Sequence, residues 1–146
     1  MIDINEQIKN IDDVSLNIYY MSPYRLTDIP LTLDSFINSN SVSKITVSGS
    51  KLEEHIGLFK LINQDVLIPT KSKSAYSNIR LYYELISTTK GKLLDVAMWG
   101  VNDYSVFVNG VEVENSNVFY DVIIPFLPKD DAKEWENFKT TKGNFN

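Results

Sequence analysis

The chain has 146 residues, of which 43% are hydrophobic and 23% are charged, and it contains no cysteine. These values are typical of one globular domain, and they exclude a fibrous repeat, a disulfide scaffold and a thiolate metal site. No apolar run approaches the roughly 20 residues of a membrane-spanning helix, and the start of the chain lacks the basic and then apolar order of a signal peptide. We therefore predict a single domain over residues 1–146, located in the cytoplasm and not bound to a membrane.

The net charge of −5 is concentrated in one segment of the chain. Between Asp95 and Pro128 there are five acids and no Lys, Arg or His, while the remaining 14 acids balance the 14 Lys and Arg residues. A negative field of this kind repels nucleic acid and anionic lipid, and it attracts a cationic partner. The alternative is that these acids are simply solvated, as acidic hairpins often are.

The first half of the chain contains patterns for strands and for two helices. Alternation of apolar and polar residues, or a short apolar run, predicts strands over residues 14–21, 44–49 and 65–69. Thr32 is placed to cap a short helix over residues 33–37. Ser50 and Glu53 have the spacing of a capping box, in which each side chain satisfies a backbone donor of the other residue, so we predict a helix over residues 51–62.

The second half predicts a meander of antiparallel strands. Strand patterns beginning at Ile79 are separated by turn residues every 8–12 residues or so, and Asn109–Gly110 supplies the positive φ angles of a type I′ hairpin turn. Residues 117–124 fit either a strand or a helix capped by Ser116, and their aromatic and β-branched content favours the strand. After Pro128 we predict a helix, with Trp135 and Phe138 spaced to form its packing face.

These elements predict an α+β fold. We expect one mostly antiparallel sheet of about five to seven strands, with two to three helices packed on one face. The helix over residues 51–62 and the C-terminal helix are the main candidates for that layer.

The residues that usually carry enzyme chemistry are sparse. The single histidine, His55, has no second His and no Cys with which to form a metal site, and the glycines match no phosphate-binding loop. The adjacent acid pairs diverge on regular elements, so none is expected to act as an acid/base pair. We predict no catalytic residue, metal or cofactor; a carboxylate-dependent enzyme such as a hydrolase remains the alternative, because a pair of acids can also meet in the fold.

The 105–114 hairpin provides the candidate binding site. Its turn places the valines on one face, and the other face carries Phe107 among acids. An aromatic ring rimmed by carboxylates suits a protein interface, since the ring gives contact area and the acids steer a basic partner. The alternative is that a helix covers Phe107. The predicted partner-binding residues are Asp103, Phe107, Glu112 and Glu114, with Asp121 added if its element lies beside the hairpin; Trp99 is expected in the core.

An acidic domain without predicted catalytic residues matches an inhibitor or immunity protein that blocks a basic toxin, because nuclease toxins are positively charged to bind phosphate backbones. The composition, rich in Asn, Ser, Ile, Lys and Tyr, resembles in general style that of bacterial toxin-immunity proteins, including those of contact-dependent inhibition systems. We therefore expect a non-enzymatic binding protein whose partner is a cationic protein and not a nucleic acid. A structural or assembly subunit is a further alternative, and it would show a large apolar self-interface.

Overall fold

The computed structural model describes residues 10–27, 31–70, 78–100 and 105–141. Within these residues the fold is α+β, as predicted, with one six-stranded antiparallel sheet in the order β2-β1-β3-β4-β5-β6. The strands are β1 (Val14–Tyr20), β2 (Ser43–Ser48), β3 (Ile79–Ser87), β4 (Gly91–Trp99), β5 (Val106–Val108) and β6 (Val111–Val113). The helices are α1 (Leu33–Ile37), α2 (Gly49–His55), α3 (Val118–Asp121) and α4 (Lys129–Thr141).

The predicted meander forms the β3 to β6 side of the sheet. Asn109 and Gly110 have φ angles of 50° and 82°, the left-handed values that a tight hairpin between β5 and β6 requires. In β1, every second side chain is buried, which is the period-2 pattern read from the sequence. Among the described residues, no helix is long and apolar enough to cross a membrane.

The main core lies between one face of the sheet and the helices α2, α3 and α4. Trp135 and Phe138 of α4 are each only 1% exposed, which confirms the predicted packing face of this helix. A smaller cluster lies on the opposite face, where Phe36 of α1 packs near Tyr82 and Trp99. The sheet therefore has a helical layer on one face, as expected, and a short helix over part of the other.

The helix predicted over residues 51–62 differs from the observed one. The α-helix begins at Gly49 and ends at His55, and the chain continues as a 3₁₀-helix from Ile56 to Leu61. Ser48 occupies the N-cap position, without a side-chain hydrogen bond. Ser50 therefore lies inside the helix and is not the N-cap residue that the predicted capping box with Glu53 requires. The break occurs where His55 leaves helical geometry, with φ −127° and ψ 3°.

Residues 117–124 are not a strand. They form α3 and then lead into a 3₁₀-helix over Ile124–Phe126. The reason is burial: Phe119, Tyr120, Val122 and Ile123 are all fully buried, and a strand facing the core on one side cannot bury consecutive residues in this way. The helix alternative is therefore the correct one, although its N-cap is Asn117 and not Ser116. Ser116 lies one residue earlier, and its Oγ accepts a hydrogen bond from the Val118 N–H.

The strand predicted over residues 65–69 is reduced to a single bridge between Pro69 and Val113. Proline has no N–H to donate, so it cannot continue a ladder of backbone hydrogen bonds. The segment still lies along β6, because the Glu114 N–H donates to the Ile68 C=O at 2.8 Å and the Thr70 N–H to the Glu112 C=O at 3.3 Å. It covers this edge of the sheet.

Candidate functional site

The β5–β6 hairpin places Phe107 and Glu112 directly opposite each other. On the other side of Phe107 lies Ala97 of β4, so the three residues form a row across three strands. We call this side of the sheet, which also carries Tyr82, Glu84 and Asp95, the polar face. The valines at 106, 108 and 113 are buried in the main core as predicted, whereas Val111, in the last strand of the sheet, is 55% exposed.

Phe107 is half-buried, and its ring stacks on Trp99. The two ring centroids are 4.9 Å apart and the planes are inclined by 16°. Trp99 is 3% exposed, so it is a core residue, as expected. Both rings belong to the smaller cluster that α1 covers. Phe107 therefore packs on a tryptophan of the neighbouring strand. It lies at the margin of the smaller cluster and is partly exposed there.

The other predicted site residues are distributed unevenly. Glu114 is exposed and lies one residue beyond the end of β6, close to Glu112 in the chain. Asp121 lies apart from them, because α3 packs on the main core, on the opposite side of the sheet from Phe107. Its carboxylate instead pairs with Lys139 of α4, 2.5 Å from the ammonium nitrogen. Asp103 lies outside the described residues.

A pair of facing carboxylates in the middle of the polar face was not identified from the sequence. Glu84 and Asp95 are cross-strand neighbours, and their side chains are 15% and 17% exposed. The Tyr82 hydroxyl lies 3.2 Å from Glu84 Oε1 and 3.1 Å from Asp95 Oδ2. The Lys92 ammonium donates to Asp95 at 2.9 Å and lies 3.9 Å from Glu84. The Asn17 amide donates to Glu84 Oε2 at 3.1 Å.

This carboxylate pair is connected to the hairpin. The Asp95 N–H donates to the Asn109 side-chain oxygen at 2.8 Å, and the Asn109 N–H donates back to the Asp95 C=O at 2.9 Å. Asp95 and Phe107 also lie on the same face, since Ala97 is two residues from Asp95 and directly opposite Phe107. Acids of three strands, Glu84, Asp95 and Glu112, therefore share the polar face.

Partial burial and the two carboxylates shift the pKa values of the neighbouring Tyr82 and Lys92. Burial raises the pKa of the Tyr82 hydroxyl above its usual value, and the charges of Asp95 and Glu84 raise it further. The hydrogen bond to Asp95 raises the pKa of Lys92 despite some desolvation. At neutral pH the tyrosine is thus a hydrogen-bond donor and the lysine a cation. Two carboxylates and one ammonium leave one formal negative charge in this cluster.

The chemistry open to the pair is limited by these partners. Lys92 already occupies the position of a cation beside both carboxylates. Within the described residues, no group of three or more His, Cys, Asp or Glu is arranged to hold a metal ion. The cluster is best suited to orienting side chains and to presenting negative charge.

A separate groove lies at the far edge of the sheet. It has a volume of about 410 Å³ and lies beside β2, with Lys51, Glu54, His55 and Phe126 among its walls. The His55 ring meets Phe126 edge to face, with centroids 5.6 Å apart. His55 therefore has a packing role in the wall of a groove, which the sequence alone did not indicate.

Comparison of the chain with protein-family models, with curated proteins and with solved structures finds no match.

Proposed function

We propose that this chain is a non-enzymatic binding protein that neutralises a cationic protein through its polar face. The most concrete form of the proposal is an immunity protein that blocks a basic toxin, such as a nuclease of a contact-dependent inhibition system. The observation that carries it is the pairing of a half-buried Phe107 with Glu112 on an outer hairpin, next to the carboxylates of Glu84 and Asp95.

The support of Phe107 favours a role in contact with a partner. A ring stacked on a buried tryptophan is already held in one orientation, so it loses little conformational freedom when a partner covers its exposed part. Aromatic side chains with this kind of support are common among residues that dominate binding energy. The neighbouring acids then provide the charge that selects and orients a basic surface.

The proposed surface differs in part from the one predicted from the sequence. Phe107, Glu112 and Glu114 remain in it, and Glu84 and Asp95 are added. Asp121 is removed, because it pairs with Lys139 on the other side of the sheet. Asp103 remains a candidate from its place in the acidic segment.

The first experiment is to purify the tagged protein together with the products of its neighbouring genes, washing at low and then at moderate salt. The expected result is a stoichiometric, cationic partner that is toxic when expressed alone and harmless when this chain is expressed with it. Failure to recover such a partner from any neighbouring gene product would contradict the immunity proposal.

The second experiment locates the surface. Glu112→Lys with Glu114→Lys should slow association with the recovered partner by about tenfold or more at low salt, with a smaller effect on dissociation, because these charges act mainly by steering. Glu53→Lys with Asp12→Lys is the matched control, since it makes the same charge change at two exposed positions away from the hairpin. Asp121→Asn should leave association unchanged. An equal loss in the control would show that net charge, and not this surface, governs binding.

The facing carboxylates also give a specific reason to test the enzyme alternative. Two half-buried acids that meet across strands are the arrangement that a carboxylate-dependent hydrolase needs, although Tyr82 and Lys92 already contact both of them. The measurement is hydrolysis of chromogenic glycoside, ester and phosphoester substrates. Turnover that is abolished by both Glu84→Gln and Asp95→Asn, with the fold intact, would favour the enzyme over the inhibitor.

A further inference from the structure

The fold brings together the only two arginines of the chain. Of the 14 Lys and Arg residues, 12 are lysines, and the other two are Arg25 and Arg80. They are 55 residues apart in the sequence, yet the Arg80 Nε–H donates to the Arg25 C=O at 3.0 Å. Arg80 lies in β3, and Arg25 lies in the loop that follows β1. Arginine differs from lysine because its planar set of donors matches a carboxylate or phosphate group.

Arg80 is buried, and the acceptors that its guanidinium contacts are neutral. The side chain is 1% exposed. Its Nη1 donates to the Ile79 C=O at 2.9 Å, and its Nη2 donates to Thr27 Oγ1 at 3.4 Å. Neither Arg80 nor Arg25 takes part in any ion pair formed among the described residues. A buried cation normally has an acidic partner, since burial without one is costly.

The two guanidinium groups also repel each other. Burial lowers the pKa of Arg80, and the positive charge of Arg25 lowers it further. Arginine nevertheless stays protonated in proteins, so both side chains are cations at neutral pH. An anion placed beside both groups would relieve their repulsion and replace part of the hydration that Arg80 has lost.

Arg80 retains donors on the side of the loop. A guanidinium carries five N–H groups, and the three hydrogen bonds described above leave part of this set for another acceptor. The bond to Thr27 is the longest of the three and therefore the weakest. Arg25 is exposed and Thr27 is partly exposed, whereas Ile79 is buried. An anion would therefore approach Arg80 from the side of the loop.

The donors of this site are already held in position. Gly100 packs so closely on the Arg80 side chain that an added Cβ would lie 2.6 Å from Arg80 Cγ. The loop is fixed as well, because the Arg25 N–H donates to the Ser22 C=O at 3.2 Å. The Ser22 hydroxyl in turn donates to the Glu134 carboxylate of α4 at 3.0 Å. A donor set that is fixed in advance loses little conformational freedom when a ligand binds.

We propose that Arg25 and Arg80 form an oxyanion-binding site, which takes a phosphate or a carboxylate group. Arg80 provides the fixed donors of the site. Arg25 provides the exposed donors, and its Nη2 lies 3.3 Å from Ser41 Oγ. Charge-assisted hydrogen bonds from both side chains hold the anion. The site shares no residue with the acidic surface, and it does not depend on the proposed function.

The test uses the intact protein labelled with ¹⁵N-arginine, whose spectrum contains one Nε–H signal for each of Arg25 and Arg80. Inorganic phosphate, and in a separate titration acetate, replaces chloride at constant ionic strength. The expected result is a saturable shift of the Arg80 signal with a dissociation constant of about 1 mM, the affinity that a pair of charge-assisted hydrogen bonds provides. Saturation by phosphate alone would identify a phosphate ligand, and saturation by acetate a carboxylate ligand; either supports the site.

Variants at the exposed arginine locate the binding. Arg25→Gln should weaken anion binding about tenfold or more, because it removes a charged donor. Arg25→Lys keeps the charge but loses the planar donor set, so it should restore only part of the affinity. Lys60→Gln is the matched control, since it removes the same charge at an exposed position in the 3₁₀-helix Ile56–Leu61. It should leave anion binding unchanged.

Three outcomes would overturn the proposal. The first is the absence of a saturable shift with either anion, which would make Arg80 solely a structural support of the loop. The second is unchanged binding in Arg25→Gln, which would place the anion elsewhere. The third is equal weakening by Arg25→Gln and Lys60→Gln, which would show that the net charge of the protein, and not this pair of arginines, governs the effect.

Discussion

Replacing Phe107 by alanine tests whether this side chain packs against the smaller cluster on one side and is exposed on the other. Full burial of a phenylalanine makes its replacement by alanine cost about 3–5 kcal/mol. Most of the Phe107 surface is buried and a minority is exposed, so we expect roughly two thirds of this, about 2–3 kcal/mol of unfolding free energy. About 0.5–1.5 kcal/mol of the loss is expected from the aromatic pair itself, because the ring stacks on Trp99 at 4.9 Å.

The assay is urea unfolding followed by far-ultraviolet circular dichroism, which avoids the change in Trp99 fluorescence that loss of the stacked ring would cause. Val111→Ala is the matched control. It lies in the same hairpin but is 55% exposed, so its replacement should change stability by no more than about 0.5 kcal/mol.

Two results for Phe107→Ala would refute this description. A loss below about 0.5 kcal/mol would mean that the stack on Trp99 does not support the hairpin in solution. A loss as large as about 5 kcal/mol would mean that the ring is fully covered and has no side left for a partner.

Three further predictions concern the rest of the fold. Gly100→Ala should destabilise the protein by about 1–3 kcal/mol, because the added Cβ would lie 2.6 Å from Arg80 Cγ and 2.7 Å from the Pro23 carbonyl oxygen; Gly57→Ala, with nothing within 4 Å, is the control in thermal unfolding. Tyr82→Phe should cost about 1.5–3 kcal/mol in urea unfolding, since it removes a buried hydroxyl bonded to charged groups; an unchanged midpoint would contradict the network. Burial, together with the hydrogen bond to Asp131, raises the pKa of Tyr20 to about 12. Because this pKa is above the ordinary value of 10, the contribution of the protonated Tyr20 hydroxyl to the free energy of unfolding is complete below pH 10. This contribution should be lost as the pH rises from 10 to 12. Comparing the pH dependence of unfolding for the wild type and Tyr20→Phe checks this, and equal slopes would be the contrary result.

Local patterns were enough to predict the fold class and much of the site. The alternation in β1, the Asn109–Gly110 turn and the packing face of the C-terminal helix each depend on residues that are close in sequence, where one strand period or one helical turn decides the geometry. The same reasoning placed Phe107 and Glu112 on one face of the hairpin, because a two-residue turn fixes the register of its strands.

The misplaced elements were those in which distant packing outweighs local preference. Residues 117–124 have the composition of a strand, but a run of buried side chains over the main core made them helical. Asp121 belongs to this helix, so it lies on the main-core side of the sheet and not beside the hairpin. Phe107 was clearly an aromatic among acids in the sequence, whereas its support by Trp99 required the pairing of β4 with β5.

The sequence by itself determined an antiparallel α+β domain, the turn of the 105–114 hairpin and the placement of all excess negative charge in one segment. Only the tertiary structure decided that Glu84 faces Asp95. Near the β3–β4 turn, Ile86 lies opposite Lys92, and this register would place Glu84 opposite Leu94; an extra residue, Leu93, shifts the pairing by one. Leu93 and Leu94 are both buried, although they are adjacent in the strand. The β-bulge at this point lets both leucines pack in the interior, and the resulting shift in register places Glu84 opposite Asp95.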